Sequence, residues 1–118
     1  MIPIKIAIVE DNKNLIDGLQ QLINGTLGFT CVGAWVDATD ILLRVRCAQP
    51  TVILMDIDIP GKINGIEATR LIKAEFPDIL VVMQTVFDED DKVFQSIKAG
   101  ASGYLLKNTP PSRLLEAL

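Results

Sequence analysis

At 118 residues the chain suffices for one domain with a single core, and 49% hydrophobic against 22% charged residues describe a globular protein rather than a disordered one. A net charge of −4 argues against a domain that holds nucleic acid by itself, which needs a basic footprint. Histidine is absent, which excludes His-based zinc sites, His general bases and Ser–His or Cys–His nucleophile pairs within the chain.

With only 5% aromatic residues, the core must be mostly Ile, Leu, Val and Ala. Cys31 and Cys47 lack metal-ligand spacing, and Cys31, inside an apolar run, reads as a free buried thiol in keeping with a reducing cytoplasm. There is no apolar run of membrane-spanning length and no signal peptide, so no membrane is expected.

Residues 1–9 predict a first strand that ends in Glu10-Asp11. A helix follows with Leu15, Ile16, Leu19, Leu22 and Ile23 on one stripe, closed near Gly25. Residues 28–36 predict a second strand. Asp37 is placed to cap a second helix through Ile41, Leu42, Leu43 and Val45, which stops before Pro50. Residues 51–55, uncharged and four of them apolar, run into Asp56, as in a parallel strand buried on both faces. Asn64 and Glu67 have the spacing of a capping box for a third helix that stops at Pro77. Residues 79–84 predict a fourth strand ending at Thr85. Acids at 88–91 crowd the start of a fourth helix, where the dipole favours them, and that helix ends at Gly100. Residues 102–106 predict a short fifth strand ending at Lys107, and Pro110-Pro111 opens a fifth helix that is cut off at Leu118.

Five alternations of strand and helix, without repeats or linkers, predict a doubly wound α/β domain. Its five-stranded parallel sheet would be flavodoxin-like, (βα)5, with strand order 2-1-3-4-5. Ligands of such sheets bind outside the carboxyl ends of the strands. Collected there are Glu10 and Asp11, Asp56, Thr85 and Lys107: three acids, a hydroxyl and an amine. Carboxylates in contact repel one another unless a cation joins them, and an all-oxygen site suits Mg²⁺. With Lys107 as a second positive charge, the set has what phosphoryl transfer to a carboxylate needs: charge neutralisation and alignment.

These residues carry a family resemblance over essentially the whole chain. Ile8-Val9-Glu10-Asp11, Leu54-Met55-Asp56 with Pro60 and Gly65, Gln84-Thr85, and the stretch 99–107 ending in Gly103-Tyr104-Leu105-Leu106-Lys107 resemble a response-regulator receiver domain of two-component signalling. The phrase 103–111 is most similar to the NarL/FixJ class of transcriptional regulators, those with a LuxR-type output. The resemblance implies one receiver over 1–118 in the cytoplasm. It is a signalling phosphoacceptor rather than an enzyme, self-catalysing only its own phosphotransfer and dephosphorylation. It also implies that Asp56 accepts a phosphoryl group from a sensor histidine kinase with Mg²⁺. Asp11 and Asp56 would be acidic metal ligands, Glu10 a ligand through water and Asp58 a ligand through its backbone carbonyl. Lys107 would pair with the phosphoryl group. Thr85 and Tyr104 would form the switch that rearranges the helix 4–strand 5–helix 5 face, for a second receiver or an output domain. DNA would be reached only through a C-terminal domain absent from this chain.

Three departures from the family pattern stand out. One residue more than usual separates Asp56 from Gly65, around 61–63. Val86 replaces a small residue and narrows access to the site, while neighbouring Phe87 reads either as a shield or as loop packing. Asn108 stands where many receivers have a proline after a cis peptide, so a cis Lys107–Asn108 bond is expected by resemblance alone. Two other functions fit parts of the sequence. Asp56-Ile57-Asp58 matches the Asp-x-Asp of haloacid dehalogenase-like phosphatases, but on the third strand rather than the first. A phosphorylation-independent interaction module would fit the fold, but such modules usually lack an acid, the Thr or the Lys kept here.

Overall fold

The computed structural model describes residues 2–85 and 90–107. Five parallel strands, β1 (Ile4–Val9), β2 (Phe29–Trp35), β3 (Val52–Asp56), β4 (Leu80–Thr85) and β5 (Gly103–Leu106), lie in the expected order β2-β1-β3-β4-β5. Four helices connect them: α1 (Lys13–Asn24), α2 (Ile41–Ala48), α3 (Gly65–Glu75) and α4 (Asp90–Lys98). The expected fifth helix, the cis bond before Asn108, and Val86 and Phe87 fall outside the described residues. No helix among the described residues is long and apolar enough to cross a membrane.

Strand side chains alternate between faces. Ile6, Ile8, Val52, Leu54 and Val82 pack against Ile16, Leu19 and Ile23 of α1. The opposite face, with Ala7, Val9, Ile53, Met55, Val81 and Met83, packs against α2 and α3 through Ile41, Val45, Ile66, Ala68 and Ile72. Because both faces are covered, every residue of β3 is buried, which is why that segment reads as an unbroken apolar run.

The edge strand departs from regularity. The β1–β2 register shifts between Ile6 and Ala7, whose partners are Cys31 and Gly33, so Val32 is an extra residue. Gly33 leaves room for the ring of Trp35, which a Cβ would meet at 2.6 Å. Trp35 is partial core, as its position on an edge predicts. Cys31 is half-buried rather than buried for the same reason, and both cysteines are free thiols.

Two capping expectations are corrected. Asp37 does not cap α2: its Oδ1 accepts from the Thr39 amide at 3.0 Å, closing a turn ahead of the helix. Asp40 occupies the cap position in a left-handed conformation, φ 52°, with no side-chain cap bond. A start at Ile41 puts Ile41 and Val45, four residues apart, into the core. At α3, Asn64 accepts from the Glu67 amide at 3.0 Å, but the Glu67 carboxylate pairs with Arg70, so only half of the capping box forms. The β3–α3 loop turns at Gly61, whose φ of +110° an L side chain rarely adopts.

Candidate functional site

The carboxyl ends of β1, β3, β4 and β5 meet at one crevice beside the switch point between β1 and β3. Asp56 is the last residue of β3 and is buried; Thr85 is the last of β4 and fully buried. Glu10 directly follows β1. Its backbone amide donates to Trp35 O at 2.9 Å, and its Oε2 accepts from the Asn12 amide at 3.1 Å, so the side chain is held inward at 1% exposure. Lys107 follows β5, and its amide donates to Thr85 O at 2.7 Å, which carries the parallel pairing of β4 and β5 one step past the sheet.

These backbone ties bring the side chains together. Lys107 Nζ stands 2.6 Å from Glu10 Oε1 and 3.1 Å from Asp56 Oδ2. The other acceptor oxygen, Asp56 Oδ1, accepts from the Asp58 amide at 3.2 Å. Glu10, Asp11 and Asp56 each offer one carboxylate oxygen, and the three lie within 4.8 Å of one another. Burial pushes the Glu10 carboxyl above its ordinary range, and the Lys107 ammonium and Asn12 amide pull it only part of the way back. For Lys107, burial disfavours the charge, but the Glu10 and Asp56 carboxylates outweigh it and hold the ammonium above its usual value.

Three carboxylates face one ammonium here, and the donor set is all oxygen, the chemistry of a hard divalent cation. The one cation on buried Glu10 Oε1 among the described residues is the Lys107 ammonium, which Asp56 shares. The all-oxygen set, with its excess of negative charge, fits Mg²⁺.

Asp58 stands apart from the three carboxylates. It is exposed, and its Oδ1 lies 3.4 Å from Lys92 Nζ at the start of α4. In the β4–β5 register Tyr104 lies beside Met83, two residues before Thr85, so Tyr104 and Thr85 point to the same face of the sheet. Tyr104 is half-buried against the core on that face. Of the residues singled out in the sequence, Glu10, Asp11, Asp56 and Lys107 are thus brought together, with Thr85 at the neighbouring strand end, while the Asp58 side chain and Tyr104 lie outside that cluster. Lys92 was not foreseen. The one hint is a cation in the first turn of an acid-led helix, where the dipole disfavours it.

Residues 6–118 match the family described as the response regulator receiver domain. The transcriptional regulatory protein YxjL of Bacillus subtilis is 37% identical over 115 residues, covering 98% of this chain and 52% of that protein. The transcriptional regulatory protein DegU of Brevibacillus brevis is 36% identical over 115 residues, covering 98% of this chain and 48% of that one. The chain thus spans about half the length of these curated relatives. A LuxR-family two-component response regulator from Aurantimonas superposes with a TM-score of 0.90 at 30% identity, over 98% of this chain and 81% of that one. The receiver domain of NarL from Mycobacterium tuberculosis shares the fold, with a TM-score of 0.92 at 21% identity over 99% and 94% of the two chains. With the strand order, the acidic crevice and these likenesses in agreement, the chain belongs to the response-regulator receiver domain family of two-component signalling.

Proposed function

We propose that Asp56 is the phosphoacceptor and that residues 1–118 form a receiver fed by the phosphohistidine of a sensor histidine kinase. A carboxylate oxygen of Asp56 forms the new bond to phosphorus. The bond from phosphorus to the imidazole nitrogen breaks, and its electron pair stays on that nitrogen, which solvent reprotonates. Both reactants are anionic, so the work of the site is to neutralise charge and align the groups. Glu10, Asp11 and Asp56 would hold Mg²⁺, Glu10 through water, with the Asp58 backbone carbonyl completing the set. When bound, the ion would supply positive charge against the negative charge of the phosphoryl oxygens.

Lys107 orients Asp56 through Oδ2 before transfer and pairs with the phosphoryl group after it. Thr85 moves toward that group and Tyr104 turns into the space it leaves, an arrangement supported by their common face. The change biases an existing two-state equilibrium of the α4–β5 face. That face, which exposes Phe94 and Ile97, would engage a second receiver or an output domain. By likeness to regulators twice its length, the chain would act in the cytoplasm on transcription through a C-terminal DNA-binding domain.

The observation that carries the reading is the Lys107 ammonium on both Glu10 and Asp56 beside three clustered carboxylates. The test is Mg²⁺-dependent labelling by a small phosphodonor, comparing wild type with Asp56→Ala. Labelling of the wild type alone is expected. Equal labelling of both proteins would overturn the assignment, and labelling of neither would favour a phosphorylation-independent module.

A further inference from the structure

We propose that Lys92 is a positioning residue for Asp56: it holds Asp58, which in turn holds the acceptor carboxylate, and so ties α4 to the phosphoryl site. The inference rests on Asp56 being the phosphoacceptor. Two contacts form the tie. The Asp58 amide donates to Asp56 Oδ1 at 3.2 Å, and Lys92 Nζ reaches Asp58 Oδ1 at 3.4 Å. Two lysines thus bear on Asp56, Lys107 directly on Oδ2 and Lys92 through Asp58, whose amide meets Oδ1.

The placement of Lys92 is specific. It is the third residue of α4, where a cation opposes the helix dipole. Its carbonyl accepts from Ser96 Oγ at 2.7 Å, and Ser96 is fully buried, so Lys92 sits on the inner side of the helix. Phe94 and Ile97 lie on the outer side, 66% and 63% exposed. One short helix thus joins an arm into the site to an open apolar surface.

Lys92 also neutralises Asp58. Ion pairs this exposed shift an equilibrium by roughly two- to fivefold. Because coupling is reciprocal, whatever holds α4 alters Asp56, and whatever occupies Asp56 alters α4.

The test measures two things in the full chain: the initial rate of Mg²⁺-dependent labelling by acetyl phosphate, and amide hydrogen exchange in α4 without phosphodonor. Lys92→Ala should label roughly two- to fivefold more slowly, while Lys92→Arg should stay near wild type. Asp58→Ala should slow labelling to the same extent as Lys92→Ala, and the double variant should be no slower than either, because all three lose the same tie; α4 should exchange faster in each. A wild-type labelling rate in Lys92→Ala, a double variant slower than Lys92→Ala alone, or unchanged α4 exchange would each overturn the proposal. These failures are distinct from failure of the acceptor assignment, which shows as labelling that survives Asp56→Ala.

Discussion

Gly65 lies so close beneath the Asp56 carbonyl that a Cβ on residue 65 would stand 2.0 Å from that oxygen and 2.9 Å from Ile57 Cα. Its amide donates to Ile57 O at 2.9 Å, so the start of α3 is sewn to the end of β3. The obstacle is backbone, which cannot turn aside as a side-chain tip can. Gly65→Ala should therefore destabilise the fold by about 1–3 kcal/mol, the usual cost of overpacking. It should also slow labelling of Asp56 by displacing its backbone. A urea midpoint equal to that of wild type would show that the strand end yields freely.

The Lys107 ammonium occupies the space between two carboxylates that a divalent cation would share. Removing it in Lys107→Ala leaves Glu10 and Asp56 facing each other, 1% and 4% exposed at their side chains. Two effects of opposite sign are expected. Metal-free stability should fall by about 1–3 kcal/mol, less than for a fully buried pair because the ammonium keeps 19% exposure. The pKa of Lys107 is raised in the fold, so its contribution is complete below the ordinary lysine value and fades only as pH rises through the raised one. Mg²⁺, relieved of a competitor, should bind more tightly in the variant. Calorimetry that finds weaker Mg²⁺ binding would show that Lys107 assists the metal instead.

The strand ends were legible because periodicity marks where an apolar run stops. Asp56 and Thr85 each close a strand as expected, and Glu10 and Lys107 each follow one. Helix starts were less legible where several residues could cap. Asp37 and Asp40 are both cap-type residues, and the core positions of Ile41 and Val45 decided between them. The capping box failed at Glu67 because an i,i+3 arginine competes for the same carboxylate. Pairings across the chain left no local trace. The Lys107–Glu10 contact and the Lys92–Asp58 contact, 34 residues apart, follow from strand order and helix placement rather than from spacing.

Gln49 closes α2 in the left-handed region at φ 51°, with its amide donating to Val45 O at 2.8 Å. A residue with a Cβ is strained in that conformation, whereas glycine is the favoured helix terminator there. Gln49→Gly keeps the backbone bond and removes an exposed side chain. It should stabilise the fold by about 0.5–1 kcal/mol, after allowing for the greater freedom of glycine in the unfolded chain. A lowered thermal midpoint would mean that the Gln49 side chain contributes more than its strain costs.

Glu10 links metal binding to pH. Burial raises its carboxyl pKa above the ordinary 4.5, so in the metal-free fold it holds its proton into a range where an exposed glutamate is ionised. The sign follows from linkage. Relative to the unfolded chain, Glu10 favours the fold below its ordinary value, and that contribution is lost as pH rises through the raised one. Mg²⁺ requires the carboxylate, so binding there must expel the proton. Just above the ordinary glutamate value, calorimetric heats of Mg²⁺ binding should therefore differ between buffers of different ionisation enthalpy, and the difference should shrink as pH rises. Affinity should rise over the same interval. Glu10→Gln should flatten both dependences and weaken binding roughly tenfold, as expected for a residue that acts through a bound water. A wild-type affinity that is flat with pH, or a Glu10→Gln variant that keeps the buffer dependence, would assign the expelled proton to another group.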